Sequence, residues 1–189
     1  MKKNRNLKNK DRSDYKKLHR RSEKKKSRDR RRQLKQGADY HVTCSINNME
    51  HLMKPDEIKV LYEKVLAECK RKYVFLVIHF GIMDNHVHLI IRPGRESLSK
   101  IMQWLNSVFA MRFNRLTGRC GHVWKCRFWS KIIERIEQFK AVFDYISFNP
   151  VKAGLAGTPE EYPFCGNFHL ANNIPGIITP FWEIEFMYS

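Results

Sequence analysis

Tyr73-Val-Phe-Leu-Val-Ile-His-Phe80 is a near-continuous apolar run of strand length, and a second run, His86-Val-His-Leu-Ile-Ile91, follows the polar break at Asp84-Asn85 and closes at Pro93-Gly94. Two apolar runs around a short turn predict an antiparallel pair of strands. A helix is expected on each side of the pair. Upstream, Pro55-Asp56-Glu57 places proline in a first turn and acids at the positive end of the helix dipole. Ile58, Leu61, Tyr62, Val65, Leu66 and Cys69 then recur at helical spacing, which predicts a helix over roughly 55–71. Downstream, Ser97 is a candidate cap for a helix whose stripe is Ile101, Met102, Leu105, Val108, Phe109 and Phe113. Further out, Tyr40-His-Val-Thr-Cys-Ser-Ile46 is β-branched and aromatic enough to be a first strand. Trp129 to Glu134 reads as a fourth strand, and Glu137 to about Ile146 as a third helix. The order β-α-β-β-α-β-α predicts an α+β fold: a ferredoxin-like antiparallel sheet with helices on one face. Topology alone carries no chemistry.

Charge divides the chain. Residues 1–36 hold 18 Lys and Arg against four acids, a net +14 of the whole chain's +17. A segment so basic and so poor in large apolar residues cannot build a core. Residues 1–37 are therefore expected to be a flexible basic tail, 38–165 a folded domain and 166–189 a C-terminal extension. Such a tail serves either as a solubilising arm or as an arm that neutralises phosphates, and the charge block favours nucleic acid. No run is long enough to span a membrane, and the N-terminus has no apolar segment of the secretory kind. Five cysteines at irregular spacings suggest no disulfide framework; a reducing compartment, the cytoplasm, is the simpler expectation.

Alternate residues of a strand share a face, so His86 and His88 project to one side while Val87, Leu89 and Ile91 point into the helices. Two neutral imidazoles on one face suit a divalent metal. With eight histidines in 189 residues, roughly one chain in three of this composition holds such a pair by chance. On the third helix Phe139, Val142, Phe143 and Ile146 form the buried stripe, while Tyr145, Gln138 and Asn149 fall on one flank at roughly 240–280°. A tyrosine at that margin is most often a packing residue. Pro150 disfavours helix at Asn149.

The stretch 117–128 interleaves Arg119, His122, Lys125 and Arg127 with Trp124. Cations among aromatics suit single-stranded or hairpin nucleic acid; the competing reading is a surface loop anchored by Trp124. Cys120, His122 and Cys126 match no standard zinc spacing.

These blocks, in this order, resemble the REP-associated tyrosine transposases, single-tyrosine HUH enzymes related to the smallest insertion-sequence transposases. The matching text is Tyr40-His-Val-Thr, Met83-Asp-Asn-His-Val-His-Leu, Gly121-His-Val-Trp-Lys-Cys-Arg-Phe and Tyr145-Ile-Ser-Phe-Asn-Pro-Val-Lys-Ala-Gly-Leu155, within roughly residues 38–165. The resemblance implies an HUH endonuclease fold, Mg²⁺ or Mn²⁺ held by His86 and His88 and completed by Asn149, and Tyr145 as the nucleophile. It also implies hairpin DNA near Arg119, His122, Trp124 and Arg127, with Lys125 of the same loop beside them. The expected reaction joins single-stranded DNA to the phenol as a 5′-phosphotyrosine, which conserves the phosphodiester energy and requires no nucleotide-binding glycine loop. The chain departs from the pattern at Asp84, commonly proline, and after the first strand, where the usual Arg-Gly is missing. A non-catalytic nucleic-acid-binding protein on the same fold and a replication or conjugation nickase are the alternatives, with RNA a weaker target. The hairpin recognised, the cleavage site, a mobile-element or host role, and the oligomeric state, a homodimer included, stay open.

Overall fold

The computed structural model describes residue 35 and residues 37–179. The basic tail therefore lies, apart from Lys35 and Gly37, outside the described residues. Four strands, β1 (Asp39–Ser45), β2 (Phe75–Ile82), β3 (His86–Pro93) and β4 (Trp129–Ile133), form one sheet in the order β2-β3-β1-β4. Every pairing is antiparallel. Helices α1 (Asp56–Lys72) and α2 (Leu98–Thr117) follow β1 and β3, α3 (Ile136–Lys152) follows β4, and a short α4 spans Gly166–Ala171. The α+β, ferredoxin-like order read from the apolar runs is the order of the fold.

Alternation along the strands sorts the two faces. Tyr40, Val42 and Cys44 of β1 and Val87, Leu89 and Ile91 of β3 are buried in a core shared with α1 and α2. The two helices are also clamped together by a bidentate ion pair, Arg112 to Glu68, with both N–O distances 2.7 Å. The Ser97 side chain caps α2 by accepting from the Lys100 amide. The expected placement of helices on one face holds for α1 and α2, whereas α3 crosses the opposite face. There Phe139, Val142, Phe143 and Ile146 meet Leu76, Ile78 and Ile90. A register shift between Val77 and His79 breaks the alternation of β2. Ile78 and His79 thus both serve the α3 side, His79 by stacking on Phe143 at 4.0 Å between ring centroids.

α3 runs past the end expected near Ile146 and carries Pro150 inside it. Proline removes one backbone donor there, yet the turn continues, with the Ala153 amide donating to the Asn149 carbonyl. Pro150 is itself buried, and this packing overrides the local preference of its predecessor. Asp84 also has a structural account. It faces the almost wholly buried Lys59 of α1, Oδ1 to Nζ 3.1 Å, and thereby ties the β2–β3 turn to that helix.

Candidate active site on the α3 face

Strand register assembles the site. Across β4, β1 and β3, Trp129 pairs with Thr43 and Thr43 with His88, while Ser45 pairs with His86 one step along. Directly opposed residues of an antiparallel pair share a face, and this row lies on the side that α3 covers. The His86 and His88 rings stand 4.7 Å apart at 80°. Tyr145 meets His88 edge to face at 5.2 Å and His41 at 6.2 Å. α3 comes this close because residue 81, which pairs with His88, is glycine. A Cβ there would lie 3.2 Å from Cγ2 of Ile146, the residue after Tyr145.

Each imidazole is held by one nitrogen. His86 Nδ1 donates to Asn85 Oδ1 at 2.7 Å, and the orientation of that amide is set by its Nδ2, which donates to the Met49 carbonyl. His88 Nδ1 lies 3.1 Å from both Thr43 Oγ1 and His41 Nε2. His88 Nε2 is buried with no hydrogen-bond partner, and so is Asn149 Nδ2, one helical turn beyond Tyr145. Orphaned buried polar atoms are costly. Two imidazoles oriented through their far nitrogens suit a divalent cation, and an amide would join them through its carbonyl oxygen, not through the unpartnered nitrogen. Among the described residues no group of three or more His, Cys, Asp and Glu is poised to hold a metal.

The electrostatics favour neutral ligands. Burial, reinforced by the neighbouring His86 and His41, lowers the His88 pKa to about 3. Burial also lowers that of His86, and burial with Lys131 lowers that of His41 to about 4. His88 is 4 % exposed, whereas the Tyr145 side chain is open to solvent at 45 %.

Gln138, on the same helical flank, accepts from the Glu134 amide. The loop 117–128 is strapped to the end of β1 by Asn47 donating to the Val123 carbonyl and Lys125 to the Ser45 carbonyl. Arg119, His122, Lys125 and Arg127 are exposed on it, Arg119 in an ion pair with Glu50. Trp124 is committed elsewhere. Its ring packs on Phe109 and Tyr62, and its indole N–H donates to the Asn106 carbonyl, so it anchors the loop. Cys120 and Cys126 are exposed and free. Sequence reasoning passed over His41, Thr43 and Trp129 as site residues. Odd-numbered positions of β1 were a usable signal, since the even ones are the apolar core.

Residues 35–149 match the family model described as "Transposase IS200 like". The REP-associated tyrosine transposase of Escherichia coli (strain K12) is 24% identical over 143 residues, which is 74% of this chain and 81% of that protein. A Haemophilus influenzae protein assigned provisionally to the same group is 25% identical over 150 residues, 74% of this chain and 84% of its own. A solved REP-associated tyrosine transposase bound to a REP hairpin superposes with a TM-score of 0.63 at 22% identity, covering 80% of this chain and 93% of that one. No helix among the described residues is long and apolar enough to cross a membrane. The family model spans more than half of the chain, across β1 through the turn that carries Tyr145 and Asn149, and on that ground the chain belongs to the IS200-like transposase family.

Proposed function

We propose that this transposase cuts and rejoins single-stranded DNA beside a hairpin, with Tyr145 as the nucleophile. One observation carries the reading: an exposed phenol lies edge-on, 5.2 Å between ring centroids, to an imidazole whose Nε2 is buried and unpartnered. His86, His88 and Asn149 would hold Mg²⁺ or Mn²⁺, which when bound draws charge from the non-bridging oxygens of a phosphodiester and favours the phenolate. Tyr145 Oη attacks phosphorus, the bond from phosphorus to the 3′ oxygen breaks, and a 5′-phosphotyrosine and a free 3′-hydroxyl result. A 3′-hydroxyl attacking the phosphotyrosine reverses the exchange, so the phosphodiester energy is retained. His41 and Thr43 keep the Nδ1 proton of His88 on the side away from the substrate.

Lys125 and Arg127, exposed on the strapped loop, meet hairpin phosphates, with Arg119 and His122 beside them. A relative solved with a REP hairpin supports that class of substrate. Five cysteines outside any disulfide and a DNA substrate favour a cytoplasmic site of action. Incubating the protein with labelled single-stranded hairpins from beside its own gene, in Mn²⁺, should give a covalent adduct that survives denaturing electrophoresis. Tyr145→Phe should abolish it. An adduct formed by that variant would refute the tyrosine assignment, and hairpin binding without any adduct in the unaltered protein would favour a non-catalytic binder.

A further inference from the structure

Trp129 opens the edge strand β4 and is 46 % exposed, although tryptophan is among the costliest side chains to leave in water. The core makes no use of its outer side. Its partner in register, Thr43, is also the partner of His88, so the indole stands at the end of the row that carries the imidazoles. The His41 ring meets it edge to face at 5.5 Å and meets Tyr145 at 6.2 Å, so a single imidazole separates the indole from the phenol. Phe148, one turn beyond Tyr145 on α3, is exposed to the same degree as Trp129. Exposed cations accompany the pair: Lys131, opposite His41 in the ladder, and Arg127, two residues before Trp129.

Rings left in water beside a nucleophile, with cations next to them, are suited to unpaired nucleobases, which stack on the rings while the cations meet the backbone. We propose that Trp129 is the stacking platform for a base within about two nucleotides of the bond that Tyr145 cuts. It thereby fixes which phosphate of the single strand reaches the phenol. Trp124 cannot take this part, because its ring and its indole N–H are engaged in the core. This inference rests on the reading of Tyr145 as a DNA nucleophile and adds the means by which the cleaved position is chosen.

The test uses the full-length Tyr145→Phe protein, expected to bind without cutting, and hairpin oligonucleotides carrying 2-aminopurine at successive single-stranded positions. Quenching is expected at one position next to the cleavage site, retained with Trp129→Phe and lost with Trp129→Leu, which keeps apolar contact with His41 but has no aromatic face. In proteins with Tyr145 intact, Trp129→Leu should raise KM roughly 5- to 150-fold, with a smaller change in kcat and unaltered Mn²⁺ affinity. It should also scatter cleavage over neighbouring phosphates. Unchanged quenching and KM in Trp129→Leu would overturn the stacking role while leaving the Tyr145 chemistry intact. Failure of the unaltered protein to bind or cut any hairpin would overturn both.

Discussion

Oδ1 of Asn85 accepts from Nδ1 of His86 at 2.7 Å, so the immediate chain neighbour of the imidazole sets the nitrogen it turns to the site. The same amide is held from behind by the Met49 carbonyl. A metal ligand oriented through its second nitrogen is more basic and better placed than a free one. Asn85→Ala should weaken Mn²⁺ binding by roughly 10- to 100-fold with little change in the unfolding midpoint, because the turn stays tied through its backbone and through Asp84. Titration followed by the electron paramagnetic resonance of free Mn²⁺ would show it. Equal affinity in the variant would detach Asn85 from the site.

Gly81, beneath α3, and Gly166, the first residue of α4, should respond unequally to alanine. At Gly81 a Cβ meets Cγ2 of Ile146 at 3.2 Å and lies at ordinary contact distance, 3.6 Å, from its carbonyl oxygen, so the side chain has to give by a few tenths of an ångström. At Gly166 it would collide with Nδ1 of His79, a wholly buried ring. Overpacking of this kind costs about 1–3 kcal/mol, so Gly81→Ala should sit near the low end and Gly166→Ala near or beyond the high end in urea unfolding. Gly81→Ala should also slow adduct formation about tenfold, since small displacements of a nucleophile are expensive. An inverted order of stabilities would contradict this account of how α3 is seated.

Much of the scaffold could be read from periodicity alone, because Val87, Leu89 and Ile91 alternate with His86 and His88 and nothing tertiary is needed to see it. The partners of His88 could not. His41 and Thr43 reach its Nδ1 only through the β1–β3 register, which sequence spacing leaves open. Trp124 of the basic stretch and Trp129 just beyond it were likewise indistinguishable by composition. Trp124 is drawn inward by the bridge between its backbone and Ile46, while Trp129 is left at the sheet edge. The end of α3 was misjudged for a related reason: Pro150 obeys a local rule that burial of its own ring outweighs.

The N-terminal charge invites a salt experiment. Lys24, Lys25 and Lys26 lie among the 18 basic residues of positions 1–36. If that arm neutralises phosphates, each contact contributes about 0.7 to the slope of log K against log salt on single strands. Changing all three to glutamine should flatten the slope by up to about 2, with no change in thermal stability. A slope identical to that of the unaltered chain would assign the arm another purpose.

The final prediction concerns acid. His79 is wholly buried, its Nε2 3.0 Å from Ser147 Oγ, which itself donates to Asn167 Oδ1. Nε2 must then be the protonated nitrogen, and burial lowers the pKa of the ring from 6.5 to about 3. Below pH 6.5 the unfolded chain takes up a proton that the folded chain refuses. Stability should therefore fall as the pH drops from 6.5 towards 3, and be fully present above 6.5. Between pH 7 and pH 5 this one group should contribute a loss of about 2 kcal/mol. His79→Gln removes the titration yet retains a donor for Ser147, so its metal-free unfolding free energy should decline less over the same interval. His88 and His41, also lowered by burial, remain in the variant and account for the decline that persists. Urea unfolding of both proteins at pH 5 and pH 7 decides it: parallel pH profiles would mean that the ring takes up its proton equally in the folded and unfolded chains.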